Sequence, residues 1–218
     1  MKAIVASTLL LCTFALANGD QLQCSHTEQE IKTDPNWTDM KRSCINSMRT
    51  QIRAELSAAM QYLAMGAHFS KDTINRPGFA KMFFDSASEE RQHAIKLISY
   101  LLMRGELISD VSNLIDTYIG VSKTQWESGV EALKDALQLE ATVTKKIKGV
   151  VKVCEDQPGP NDYHLVDYLT GVFLEEQYTG QRDIAGKIST LDKFMTKHGA
   201  LDCKLAIVFF CTITYILL

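Results

Sequence analysis

The stretch Ala87-Ser88-Glu89-Glu90-Arg91-Gln92-His93-Ala94 decides how this 218-residue chain is read. Glu90 and His93 are three residues apart, so on a helix a carboxylate and an imidazole stand one turn apart on one face, where both can grip a single metal ion. A heptad seam through the segment runs Phe79, Phe83, Ser86, Glu90, His93, Leu97, Tyr100. The pair therefore falls on the stripe a helix buries, where an unpaired carboxylate is costly. A lone Glu-x-x-His is commonly a solvated surface pair, so the reading depends on whether other helices carry the same intrusion.

Three of them do. Upstream, the seam Ile45, Met48, Ile52, Glu55, Ala59, Tyr62, Gly66, Phe69 puts Glu55 and Tyr62 in core positions, two turns or roughly 10 Å apart. Downstream, Trp126, Val130, Leu133, Leu137, Glu140, Thr144, Ile147, Val151 carries Glu140 near its middle. A fourth segment turns Leu165, Leu169, Val172 and then Glu176-Gln177 toward the same interior. Four long helices, each with an acid near mid-length on its apolar stripe, predict one shared site in an all-α four-helix bundle.

The rest of the chain frames that bundle. Its hydrophobic fraction of 46% and charged fraction of 22% are ordinary for one globular domain. A formal net charge of -3 gives no reason to expect a nucleic-acid partner. Residues 1–17, with Lys2, the apolar run from Ala3 and the small-x-small Ala15-Leu16-Ala17, read as a secretory signal peptide and imply the secretory pathway and secretion. Residues 18–42 form an N-terminal extension carrying Cys24 and the sequon Asn36-Trp37-Thr38; Cys24 and Cys44 flank this polar segment, which reads as an exposed arm pinned by disulfide chemistry. Removing the leader leaves Cys24, Cys44, Cys154, Cys203 and Cys211, an odd number in an oxidising compartment.

Helix boundaries follow from local signals. The first helix is expected over about 40–69, the second from Pro77 to about Arg104 before Gly105, the third from a Thr124/Glu127 capping box to about Cys154, and the fourth from the Pro158-Gly159-Pro160 turn to about Ser189. The connection from Gly105 to Ser122 is longer than an antiparallel turn needs, which predicts a crossover and parallel second and third helices.

Carboxylates with one imidazole and no thiolate make a hard to borderline ligand set, better suited to iron or manganese than to structural zinc. Glu55, Glu90 and Glu140 carry enough charge for two divalent ions if Glu90 bridges them. Tyr62 reads as a hydrogen-bond partner of a carboxylate or of bound oxygen, or as an ordinary core tyrosine. Gln177 reads as an uncharged group that orients water or oxygen, or as a surface amide.

Gln51-Ile52-Arg53-Ala54-Glu55 with Tyr62, Glu89 to Ala94, Trp126-Glu127-Ser128-Gly129 leading to Glu140, and Leu174-Glu175-Glu176-Gln177 resemble, in order and spacing, the motifs of ferritin heavy chains, and the leader and arm resemble the secreted ferritins of insects. The resemblance covers about residues 48–201. It implies a ferritin-like domain over 43–201, a short fifth helix, and a hollow shell of two dozen subunits made of this chain and light-chain-type partners. It also implies a ferroxidase that converts Fe(II) to Fe(III) with dioxygen. Glu55, Glu90 and His93 would match the first iron site, Glu140 the second, and Tyr62 and Gln177 their oxygen-facing neighbours, with Gln177 also counted among the metal ligands.

The chain departs from the family in three places. Of the positions matching the mineral-nucleating acids, Glu89 is acidic but Gln92, Ala94 and Ile95 are not, which shifts nucleation toward a light chain. At the three-fold channel Asp167 is kept while Thr170 stands one turn on. Residues 202–218 are an atypical tail, apolar from Leu205 to Leu218, where an amphipathic helix is expected. The tail reads as an aggregation hazard, and membrane association is the weaker reading. Two other classes compete with the ferroxidase: a non-catalytic shell subunit, which would lack one of the site residues, and a secreted helical cytokine, which would have no use for buried acids.

Overall fold

A computed structural model describes residues 38–106, 114, 119–155 and 161–197, all within the unit Pro35–Leu218. The leader, Cys24, Asn36, most of the crossover, Cys203, Cys211 and the apolar tail with any fifth helix lie outside the described residues. Helix α1 spans Arg42–Ser70, α2 Pro77–Met103, α3 Gly129–Glu155, α4 Tyr163–Tyr168 and α5 Glu175–Lys197, with a π-helical segment Leu169–Leu174 joining the last two into one rod. Among the described residues there is no strand, and no helix is long and apolar enough to cross a membrane.

The seams of α1 and α2 bury as their spacing requires. Every member of the α1 seam is buried, from Ile45 through Glu55 and Tyr62 to Phe69, and in α2 only Ser86 is left half-exposed. Asn75 takes a left-handed φ of 47° in the turn that reverses the chain, and Gly105 takes 75° just past α2. Phe69 at the end of α1 stacks on Phe79 at the start of α2, with ring centroids 5.1 Å apart, so the two helices are antiparallel. Cys44 near the start of α1 is bonded to Cys154 near the end of α3, so this pair is antiparallel too. Helices α2 and α3 therefore run parallel, as the long connection demands. Leu114, within that connection, is buried in the core.

Three expectations need correction. Helix α3 opens at Gly129, and its capping box is Ser128 with Glu131: the Glu131 N–H donates to Ser128 Oγ at 3.1 Å, while Glu131 Oε2 accepts from the Glu127 N–H at 2.7 Å. The Thr124/Glu127 alternative fails because Trp126 is buried ahead of the helix, where Nε1 donates to Asp135 at 2.9 Å. Gly129 is also required sterically, since a Cβ there would come within 2.3 Å of Phe79. Second, Cys44 is buried in the bundle and pairs with Cys154 rather than pinning the arm. Third, the last rod runs to Lys197, and its interior stripe is not the straight-helix seam through Val172 and Glu176. Its buried stripe runs through Leu165, Leu169, Phe173 and Gln177, four apart each time, with Leu174 and Leu191 buried beside and beyond it. Twelve residues at 3.6 per turn would carry that stripe roughly a third of a turn around the rod, and the wide π turn absorbs the surplus.

The core divides into two apolar clusters. One gathers Ile45, Met48, Ile52, Leu97, Ile147 and Phe173 toward the disulfide end. The other gathers Met65, Phe69, Phe79, Phe83, Trp126 and Leu133 toward the opposite end. Between them lies a layer of buried polar groups: Glu55, Glu90, His93, Glu140, Thr144 and Gln177.

The disulfide closes a loop with a sequence separation of 110. Cys154→Ser should cost about 2–5 kcal/mol in denaturant unfolding, and the double variant with Cys44→Ser no more than the single one. Unchanged stability in Cys154→Ser would disprove the pairing.

Candidate metal centre

The centre is built from mid-helix positions that cannot move without dislodging the two clusters. Ligand atoms of Glu55, Glu90 and His93 all lie within 4.8 Å of one another. His93 Nδ1 is 3.7 Å from Glu90 Oε1 and 4.0 Å from Glu55 Oε2. Helix α1 supplies Glu55 and braces it with Gln51 one turn earlier, whose Nε2 donates to Glu55 Oε1 at 2.8 Å. From α3, Glu140 stands outside this compact group. It accepts a short hydrogen bond from the Tyr62 hydroxyl and a further one from the Gln177 amide.

Among the described buried side-chain atoms that lack a hydrogen-bond partner, three sit together, one on each of these residues: Glu55 Oε2, Glu90 Oε2 and His93 Nδ1; others, on His68 and Asp162, lie outside this group. Two acceptor oxygens and an imidazole nitrogen without donors, packed together beneath a hydrophobic shell, suit a divalent cation. The electrostatics agree. Burial, reinforced by Glu90, pushes Glu55 well above the usual carboxylate range. Burial and the charge of Glu140 raise Glu90 to about 8. Burial raises Glu140 as well, against the pull of Tyr62 and Gln177. An unfolded chain would ionise Glu90 near the ordinary 4.5, so as pH rises from there to about 8 its burial in the metal-free protein opposes folding. A cation among these oxygens reverses that opposition.

Glu176 is the functional residue that a straight-helix reading misplaces. Its side chain is 46% exposed, on the rim of the core, with Oε2 2.8 Å from His93 Nε2. Lys96 holds it there, with Nζ 3.2 Å from Oε1. His93 donating Nε2–H to this carboxylate leaves Nδ1 as the bare nitrogen facing Glu55 and Glu90. Gln177 Oε1 accepts from the Thr144 hydroxyl at 2.8 Å, and its amide group hydrogen-bonds Glu140. Thr144 accepts in turn from Gln181 Nε2 at 2.7 Å. The 4-4-4 spacing from Leu165 to Gln177 was the available signal for this arrangement.

A groove of about 700 Å³ leads from the centre between α2 and α5, past Glu89, Glu140, Glu175, Glu176 and Asp183. Glu89 is exposed, as expected of a solvent-facing acid, but Ala94 is fully buried in the core. Asp167 and Thr170 are exposed on the last rod.

Residues 45–194 match the family model of the ferritin-like domain. The chain is 58% identical to the ferritin heavy chain of Trichoplusia ni over 198 residues, covering 91% of this chain and 90% of that protein. It is 54% identical to the ferritin heavy chain of Drosophila melanogaster, covering 92% and 96%. A crystal structure of Trichoplusia ni secreted ferritin superposes with a TM-score of 0.77 at 59% identity, over 83% of this chain and 92% of that one. The chain belongs to the ferritin family, with ferritin heavy chains among its relatives at 54–58% identity.

Cobalt(II), which binds such sites without consuming dioxygen, provides the check. Glu176→Ala should weaken its binding about 10–100-fold by calorimetry, whereas Glu176→Gln, which still offers an acceptor to His93, should retain most of it. Equal affinity in all three proteins would remove Glu176 from the centre.

Proposed function

We propose that this chain is the catalytic subunit of an iron-storing shell, a ferroxidase for which ferrous iron is substrate. The observation that carries the reading is the trio of unpartnered ligand atoms on Glu55, Glu90 and His93. Glu55, His93 and one oxygen of Glu90 hold the first ferrous ion. The other oxygen of Glu90 reaches toward Glu140, which with Tyr62 and Gln177 behind it holds the second. Two ferrous ions supply two electrons, enough with two protons to reduce dioxygen to hydrogen peroxide. Three buried carboxylates, Glu55, Glu90 and Glu140, resist ionisation when the site is empty and become ligands with His93 once the cation arrives, so the protein's part is fixed geometry and negative charge in a dry site.

Ferric product leaves along the acidic groove toward mineral. Membership in the heavy-chain group supports assembly with further copies and with light-chain-type subunits into a shell, and the secreted relative supports a secretory location. Identity with a non-catalytic shell subunit is disfavoured because every ligand position is filled.

Initial ferrous oxidation in air, at about two irons per subunit, should show a fast phase in the mature protein that Glu90→Ala abolishes, a loss on the order of that for removing an essential catalytic group. Tyr62→Phe should slow the phase without removing it, because the phenol orients Glu140 and does not bind iron. Equal rates in wild type and Glu90→Ala, both helical and assembled, would reject catalysis.

A further inference from the structure

A chain of rings leads from the proposed iron site toward the disulfide end of the bundle. The His93 and Phe173 centroids are 5.5 Å apart, Phe173 and Tyr168 5.5 Å, and Tyr168 and Tyr100 5.2 Å with planes 15° apart. Tyr100 stacks in turn on His164 at 5.6 Å, and its hydroxyl lies 2.8 Å from His164 Nδ1. Arg104 Nη1 donates to the same phenol oxygen at 2.9 Å, which leaves the phenol hydrogen free for the imidazole. Tyr100 is buried and His164 is exposed. We propose that Tyr168 and Tyr100 relay a one-electron oxidising equivalent from the iron site to the far end of the bundle, with His164 as the proton acceptor. The proposal rests on the oxidative reading of the site given above.

Packing alone does not account for the arrangement. Phenylalanine at position 168 or leucine at position 100 would fill the same core without hydroxyls. Instead two phenols are stacked in sequence, and the second is bonded to a base in contact with solvent. That bond is what oxidation of a phenol requires, because the oxidised phenol is strongly acidic and must lose its proton along with its electron.

The stoichiometry identifies when the relay is needed. Hydrogen peroxide takes two electrons and two protons to become two waters. When a single ferrous ion meets peroxide at a half-filled site, iron supplies one electron and the second is missing. Tyr100 supplies it through Tyr168 and the Phe173 ring; its O–H bond breaks, the proton passes to His164 Nδ1, and the two protons for water come from solvent at the site. The products are ferric iron, two waters, a neutral Tyr100 radical and a protonated His164. A one-electron reductant from solvent, such as another ferrous ion, then restores the phenol with the proton held by His164. Tyr62 is the competing donor, but its proton would pass to Glu140, a group that holds iron.

Freeze-quench electron paramagnetic resonance on the assembled full-length protein tests this, with fewer ferrous ions than subunits and hydrogen peroxide added anaerobically. A tyrosyl radical is expected in wild type and in Tyr62→Phe. It should be lost in Tyr100→Phe and in His164→Phe, which keeps the stack and removes the base. Cobalt(II) affinity and the fast ferrous oxidation phase should be unchanged in Tyr100→Phe. A radical that persists in Tyr100→Phe, or that disappears with Tyr62→Phe alone, overturns the relay. Failure of the iron reading is separate: it would appear as wild-type oxidation no faster than Glu90→Ala, whereas a failed relay leaves that fast phase intact.

Discussion

The structure depends on a burial that the protein cannot satisfy by itself. Glu55, Glu90 and His93 are placed between two apolar clusters, and each keeps one ligand atom without a partner. Burial of this kind is destabilising unless charge of the opposite sign arrives. The surrounding packing prevents escape: Ile52 and Leu97 on one side and Tyr62 and Phe83 on the other are almost wholly inaccessible to solvent. The helices are held in register by apolar contacts and the Cys44–Cys154 bond, so the acids remain aimed at one another whether or not a cation is bound. A site of this kind is preorganised, and its cost is carried by the core on either side of it.

The outer groups determine how that site behaves. His93 could present either ring nitrogen, and Glu176 with Lys96 selects Nδ1. Glu140 is tethered twice, by a phenol and by an amide, which keeps it close to Glu90 without joining the compact trio. The centre is thus asymmetric: one side has an imidazole and two carboxylates, the other a single tethered carboxylate. On the two-iron reading proposed above, such asymmetry would favour sequential loading, with the second ion the more easily missed, and a half-loaded site is the circumstance in which the proposed electron from Tyr100 would matter.

Much of this was legible in the sequence where helices are straight. The seams of α1 and α2 follow the 3.6-residue period, so Glu55, Tyr62, Glu90 and His93 could be placed in the core by counting. Glu140 followed in the same way, though its neighbours on the stripe are Ala136 and Val150 rather than Leu137 and Val151. The last rod defeated counting because a π turn adds a residue between Leu165 and Gln177, and this moves Glu176 from core to rim. The Cys44 partner was not legible because helix directions leave several of the other cysteines able to meet it, and the choice of Cys154, 110 residues away, depends on how the helix ends pack. Trp126 looked like the first seam residue of α3, yet it is buried from a non-helical segment ahead of the helix.

The fourth rod also bears on whether iron stays or passes through. Di-iron proteins of this architecture that keep their metal place a second imidazole one turn beyond the acid on this rod. Three residues beyond Glu176 and Gln177 this chain has Thr179 and Gly180, which line the groove instead of closing it. A Cβ at Gly180 would meet nothing within 4 Å, so there is room for a larger side chain and no steric reason for glycine. The gap leaves the acidic groove open beside the centre and the donor set one nitrogen short. If iron is the substrate, as proposed above, both features would weaken retention of the ferric product, and a site that holds its metal less firmly on one side is better fitted to turn iron over than to keep it. A cytokine reading offers no use for either feature, and membership in the ferritin family removes it.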